Sequence, residues 1–303
     1  MIVLQGPRQR LDGVVLSPDG RYAACGGGTE SFLVLWDVAD GRQIQLNPMM
    51  GYYFRNSFTF SGDGRFLVAS YPSIVRVYDA STGRVTGEAS TKGKIIWALR
   101  SHPDGRLLSS ASQHVHPQWQ KLSTDDNLFW FDSDLQLFST NGFRTGDRIT
   151  HALAFAADGN TLVTRGSEGL SAWDVQNAEH LGHWPIEDHD RTSLTVSPNG
   201  RFAAFPHRSR LHVVDLSGQD GGTVISHAPR KRFQGAAFTP DGRHLAVVGG
   251  ADTVRFWDTA TWQERQAFDW GVGELRGVAF TADGLRGVAV SAKGHVVIWD
   301  QDF

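Results

Sequence analysis

Thr239-Pro240-Asp241-Gly242, followed by the apolar run His244 to Val248 and closed by Trp257-Asp258, is the stretch that decides the fold. Asp-Gly after Pro is hairpin chemistry, because Gly accepts the positive φ of a tight turn. The same turn recurs as Ser17-Pro18-Asp19-Gly20, Ser61-Gly62-Asp63-Gly64, His102-Pro103-Asp104-Gly105, Ala156-Ala157-Asp158-Gly159, Ser197-Pro198-Asn199-Gly200 and Thr281-Ala282-Asp283-Gly284. Its glycines are spaced 44, 41, 54, 41, 42 and 42 residues apart. A short apolar run stands on each side of every turn, as in Gly13 to Leu16 and Tyr22 to Cys25. An apolar-Asp pair follows 15 to 17 residues after most of the glycines: Trp36-Asp37, Tyr78-Asp79, Trp173-Asp174, Val214-Asp215, Trp257-Asp258 and Trp299-Asp300. In the third copy Phe131-Asp132 arrives 27 residues after its glycine. No 3.6-period segment competes, so the chain reads as short strands throughout.

A period near 42, the turn and the terminal aromatic-Asp pair occur together over essentially the whole chain, which resembles a WD-repeat (tryptophan-aspartate) β-propeller. The resemblance implies an all-β fold, one domain over residues 1–303. Seven four-stranded antiparallel blades would surround a channel, with the repeat Trp filling the space between blades. A single blade cannot bury both of its faces, so stacked neighbours must supply the core. The run Met1-Ile2-Val3-Leu4-Gln5 is expected to be the outer strand of the last blade, closing the ring and removing its open edges.

Many members of that family carry a His before the inner strand and an Asp before the Trp strand, which bond to the Trp through a Ser or Thr. The corresponding first positions here are Arg8, Tyr52, Lys92, Asp147, Asp188, Arg230 and Val272, none of them His. The turn Asp is present as Asp126 and Asp252, with Glu168 a near match. Apolar packing between blades is therefore expected to hold the ring. Trp97, Trp119, Trp130, Trp184, Trp262 and Trp270 fall outside the repeat column.

Composition excludes several other classes. A 40% apolar fraction with 18 Phe and 10 Trp is too hydrophobic for a disordered chain. No run approaches the roughly 20 apolar residues that cross a bilayer, so no membrane partner is expected. The first ten residues lack a signal-peptide pattern. The single cysteine, Cys25, forms no internal pair and is read as a buried filler, so a reducing cytoplasm is the expected compartment. Phosphate-loop, nucleophile-elbow, zinc-protease and calcium-loop motifs are absent, and neither catalysis nor a cofactor is expected. Gly26-Gly27-Gly28 reads as an inter-strand loop, because no helix follows it.

Two features point toward binding. The long third repeat carries about 12 extra residues between its second and third strands, Ala111 to Lys121 and then Ser123 to Asp126. On an extended chain His114 and His116 would face one side, and with Asp125 or Asp126 they suggest a metal site; the spacing lacks a further Cys or His, so no obligate metal is expected. Trp119, in the same insertion, is either folded back over the propeller or a candidate partner anchor. The second feature is charge. Net charge is −3, yet the seven five-residue windows before the inner strands hold 11 of the 29 Lys and Arg and 5 of the 32 acids. In the WD-repeat family these windows and the insertion emerge on one face, the top.

The function read from this pattern is a non-catalytic scaffold binding a protein or peptide, acidic or phosphorylated, on the top face. Its candidate contacts are Tyr52, Tyr53, Arg55, Lys92, Lys94, Trp119, Arg148, Arg191, Arg232 and Arg276. The alternative is an enzyme or small-molecule binder using the channel mouth with His114 and His116. Nucleic acid is disfavoured by the acidic total. The Arg after the turn glycine (Arg21, Arg65, Arg106, Arg201, Arg243) lies on the opposite face and is read as part of the turn.

Overall fold

The computed structural model describes residues 1–6, 9–27, 32–46, 57–71, 74–91, 94–113, 127–131, 137–139, 150–186, 193–207, 209–218, 223–226, 232–250 and 252–301. These form seven four-stranded antiparallel sheets, the blades, and no helix occurs among them. The innermost strands of blades 1 to 7 are Gly13–Leu16, Phe58–Phe60, Lys94–Ser101, Thr150–Phe155, Thr195–Val196, Gly235–Phe238 and Leu275–Phe280. In the first six blades the four strands follow one another in chain order. In blade 7 the outer strand is Ile2–Gln5, paired with His295–Asp300 from Ile2 opposite Ile298 to Gln5 opposite His295. The ring therefore closes through the N-terminal strand, and Leu4 is the residue of that strand that enters the core.

All seven turns share one geometry. Each turn glycine has φ between 68° and 91°, the left-handed region that a side chain would strain. Its N–H donates to the carbonyl three residues earlier, as Gly242 does to Thr239 at 2.8 Å. In five blades the hydroxyl of the first turn residue donates to the turn Asp or Asn, and also accepts the N–H five residues on. Ser17 Oγ lies 2.6 Å from Asp19 Oδ1 and 2.8 Å from the Tyr22 nitrogen; Ser61, Ser197, Thr239 and Thr281 repeat this. Such a hydroxyl fixes both ends of the turn, an arrangement the Asp-Gly reading did not include. In blade 3 His102 stands in its place, with Nδ1 2.7 Å from Asp104 Oδ1; in blade 4 it is Ala156.

Blade 3 departs in register as well. Six hairpins close between the first turn residue and the residue five later, whereas in blade 3 the His102 N–H donates to Arg106, four later. This one-residue shortening keeps Phe131 in the repeat column, opposite Leu107 and packed toward blade 2. The neighbouring Trp130 consequently faces blade 4, against Leu108, Leu153 and Trp173. The expected insertion also begins later than Ala111. The second strand runs Leu107–Gln113, with Ala111 opposite both Ile96 and Asn127, so Ala111, Ser112 and Gln113 are strand. Gly26 and Gly27 are likewise strand residues and not loop.

Seven apolar clusters occupy the seven junctions between neighbouring blades. Ala23, Cys25 and Trp36 of blade 1 meet Val288, Val290 and Ile298 of blade 7, for instance. Cys25 is fully buried there and burial pushes its thiol pKa up, which leaves it an inert filler. The indole N–H groups of Trp36, Trp257 and Trp299 are buried and have no partner among the described residues. Trp173 is bonded, to Thr164 Oγ1 at 3.1 Å. Apolar contact, worth about 25 cal/mol per Å² buried, is what joins the blades at those three tryptophans.

Candidate functional site: the mouth of the channel

The ring leaves a central channel whose walls are the innermost strands. Counting five residues back from each turn's first residue gives Asp12, Asn56, Trp97, His151, Thr192, Gln234 and Arg276, at the entrance to each inner strand. Asn56 and Thr192 lie outside the described residues. The ladder is bulged at Trp97, His151 and Arg276, so one extra residue stands between paired neighbours at the same place in three blades. A bulge re-aims the side chain it carries. In blade 1 the Asp12 N–H donates to Gly26, and in blade 6 the Gln234 N–H donates to Val248. Gly27, at φ 142°, lies against Asp12 so closely that a Cβ there would stand 2.7 Å from the Asp12 nitrogen.

Three blades meet in one polar network at this mouth. Arg276 of blade 7 places Nη1 3.2 Å from Asp12 Oδ1 of blade 1 and 3.4 Å from Gln234 Oε1 of blade 6. Its Nη2 donates to Glu274 Oε2 at 3.3 Å, and Gln234 Nε2 donates to Glu274 Oε1 at 3.2 Å. Arg10 Nε holds both oxygens of Asp12, at 2.8 and 3.0 Å. Deeper in the channel, Arg100 of blade 3 reaches a cavity of about 180 Å³ walled by blades 1, 5, 6 and 7. Its Nη1 donates to the Leu99 carbonyl at 2.8 Å, and burial lowers its pKa to about 10, which leaves it charged at neutral pH.

The ten sequence-derived contacts fare unequally. Tyr52, Tyr53, Arg55, Lys92, Trp119, Arg148 and Arg191 lie outside the described residues. Lys94 begins the inner strand of blade 3, opposite Gln113. Arg232 is exposed just before the inner strand of blade 6. Arg276 is turned inward, with 14% of its side chain exposed, and its charge is matched by Asp12 and Glu274. Asp12, Gln234 and Arg100 were missed. The first two were findable, since they share the offset of Arg276 from the turn. His114, His116, Asp125 and Asp126 also lie outside the described residues, among which no group of three or more His, Cys, Asp or Glu could hold a metal ion. Among the described residues no helix is long and apolar enough to cross a membrane.

The chain has five lysines. Lys94 begins the inner strand of blade 3 and Lys293 stands between the second and third strands of blade 7, at the same end of the ring; Lys92, Lys121 and Lys231 lie outside the described residues. At the opposite end the arginines after the turns are held locally. Arg106 and Arg201 pair with Asp104 and Asp215 at 2.7 and 2.9 Å, and Arg21 approaches Asp37 at 3.6 Å. Arg21, Arg65 and Arg201 also lie over the following aromatic ring.

Seven antiparallel blades, hairpins with a common turn and a Trp-Asp pair ending the third strand of four of them define the class: a seven-bladed β-propeller built from tryptophan-aspartate repeats. In its repeat and its architecture the protein is similar to the WD-repeat family. The family model described as WD domain, G-beta repeat, matches residues 218–258, the sixth repeat. An uncharacterized WD repeat-containing protein of Synechocystis sp. is 27% identical over 45% of this chain and 39% of its own length. A target of rapamycin complex subunit of Schizosaccharomyces pombe is 24% identical over 67% of this chain and 64% of its own. For the Protein LST8 homolog of Drosophila melanogaster the values are 22%, 78% and 77%. The chain thus spans less than two thirds of the first two relatives.

Proposed function

We propose that this propeller is a non-catalytic interaction scaffold that holds an acidic or phosphorylated protein segment on the end of the ring where the inner strands begin. The observation that carries this reading is that the two described lysines, Lys94 and Lys293, stand at that end, while arginines after the turns at the other end are tied to carboxylates. Ammonium groups around the mouth would raise the local concentration of an acidic partner despite a net charge of −3. The bulges at the entrances of blades 3, 4 and 7 re-aim Trp97, His151 and Arg276 at corresponding positions of the mouth. Two relatives agree in kind, one of them named as a subunit of a complex. Under this reading Arg232, Lys94 and Arg276 contribute to the mouth, and Tyr52, Tyr53, Arg55, Lys92, Trp119, Arg148 and Arg191 to its rim. The test is affinity capture from the native cell with wild type and with Arg55→Glu/Arg148→Glu/Arg232→Glu. The reversal should release the partner with thermal stability unchanged; full retention would refute the reading.

A further inference from the structure

A groove of about 450 Å³ lies between blades 3 and 4 at the end of the ring that carries the hairpin turns, opposite the mouth. Its blade 4 wall consists of two turns, Asp158 to Asn160 and Val175-Gln176. The two are tied together, since the Val175 N–H donates to the Asn160 carbonyl at 2.8 Å and the Gln176 N–H to Asn160 Oδ1 at 2.9 Å. On the blade 3 wall, His102 Nε2 stands 2.9 Å from the Gly159 carbonyl oxygen. Arg106, on the same wall, places Nε and Nη2 each 2.7 Å from Asp104 Oδ2, so its charge is matched.

The carboxylates of blade 4 are not matched in this way. Five of the six turn aspartates accept a bond from a Ser or Thr hydroxyl or face the His102 imidazole. Ala156 takes the place of the hydroxyl in blade 4, and Asp158 receives the backbone N–H groups of Asn160 and Thr161, both at Oδ1. Five of the seven turn glycines are followed by Arg. In blades 1 and 5 that arginine reaches the Asp ending the third strand, Asp37 at 3.6 Å and Asp215 at 2.9 Å. Blades 6 and 7 bring Arg265 and Arg286 to the corresponding Asp258 and Asp300. Blade 4 carries Asn160 after its glycine, and Asp174 is held by amides, the Asn177 N–H and side chain among them. Among the described residues, Asp158 and Asp174 thus have no cationic partner.

We propose that this groove takes an arginine side chain of a partner protein, whose guanidinium supplies to Asp158 and Asp174 the cation that blade 4 lacks. A guanidinium suits the site because its planar fork bonds a carboxylate through two parallel N–H groups. Val175 and Trp130, which line the groove, offer apolar surface to the methylenes of such a side chain. The partner segment is basic there, and it sits at the end of the ring away from the acidic segment proposed above.

The probe is blocked arginine (N-acetyl-arginine methylamide), titrated into the full chain at constant ionic strength and followed through the backbone amide NMR signals. Blocked citrulline, its uncharged isostere, and blocked lysine are titrated alongside. Arginine should give saturable shifts at Gly159, Asn160, Val175 and Gln176, citrulline none and lysine weaker ones. Asp158→Asn should weaken binding about fivefold, the usual worth of an exposed ion pair. The turn accommodates that change, because Asn199 holds the same place in blade 5 with the same backbone bond. Asn160→Arg, which gives blade 4 the arginine of its sister blades, should abolish binding by occupying the carboxylates from within the chain. The proposal is overturned if citrulline shifts the same signals as far, or if lysine binds as tightly as arginine. Shifts that fall elsewhere on the ring, or wild-type binding in both variants, would overturn it too. None of these outcomes depends on whether an acidic partner is captured at the mouth.

Discussion

Arg276 Nη1 lies 3.2 Å from Asp12 Oδ1, although the two residues stand 264 positions apart in the chain. The pair spans the junction where blade 7 meets blade 1, beside the strand that closes the ring. Both side chains are largely buried, at 14% and 9% exposure, so water screens the pair little. A double-mutant cycle with Asp12→Asn and Arg276→Gln should give a coupling energy of about 1–3 kcal/mol. Coupling near zero in chemical denaturation would show that the contact does not join the blades.

Closure makes a second claim. Removing residues 1–6 strips the outer strand from blade 7, taking its ladder with Ile298 to His295 and the buried Leu4. One buried leucine is worth about 1.5–3 kcal/mol, and the freed strand edge invites association with other chains. The truncated protein should lose at least about 3 kcal/mol and should self-associate in sedimentation. An unchanged Tm would contradict the closure.

The third prediction concerns Trp130. Its ring lies under the Arg106 guanidinium at 4.5 Å and meets His102 edge-on at 5.6 Å, in the junction between blades 3 and 4. Trp130→Ala should cost about 3–5 kcal/mol, the usual range for a buried aromatic. A loss below 1 kcal/mol would mean that blade 4 closes over the gap.

How far this was legible in the sequence is clear from particular residues. Phase put Trp36, Trp173, Trp257 and Trp299 in one column and Ile2–Gln5 at the seam, because turn chemistry and strand period are local properties of the chain; that the column lies between blades came from the family resemblance. Trp130 was not assignable, since its facing depends on a turn shortened by one residue after Gly105, and a one-residue slip inverts every side chain. Gly26 and Gly27 read as loop because their role, close approach to Asp12, depends on a different strand. Arg276 was found as a basic residue, but not its inward aim, which the bulge sets. Arg100 was invisible for a related reason: the channel exists only once all seven blades are in place.

Acid should unfold the ring in a defined window. The carboxyls of Asp63, Asp79 and Asp283 are held below their usual pKa, chiefly by the hydroxyls of Ser61, Ser81 and Thr281. That of Asp258 lies at about 2, chiefly through the Thr261 N–H and hydroxyl. A lowered folded-state pKa contributes stability that is complete above the unfolded value of about 4 and is lost as pH falls through the folded value. The urea midpoint should therefore be insensitive to these groups from pH 7 to 5 and should fall between pH 4 and 2. Asp258→Asn should make that fall shallower. An equally steep fall in the variant would remove Asp258 from the account.

The most direct test of the central claim, that the partner sits on the end where the inner strands begin, uses the five lysines themselves. Amine-reactive labelling read by mass spectrometry, on the free propeller and on the complex recovered by affinity capture, reports on that end because Lys94 and Lys293 belong to it and Lys92, Lys121 and Lys231 are proposed to. The account predicts that labelling of several of them, Lys94 and Lys231 included, drops in the complex. Identical labelling of all five lysines, with the partner demonstrably bound, would contradict it.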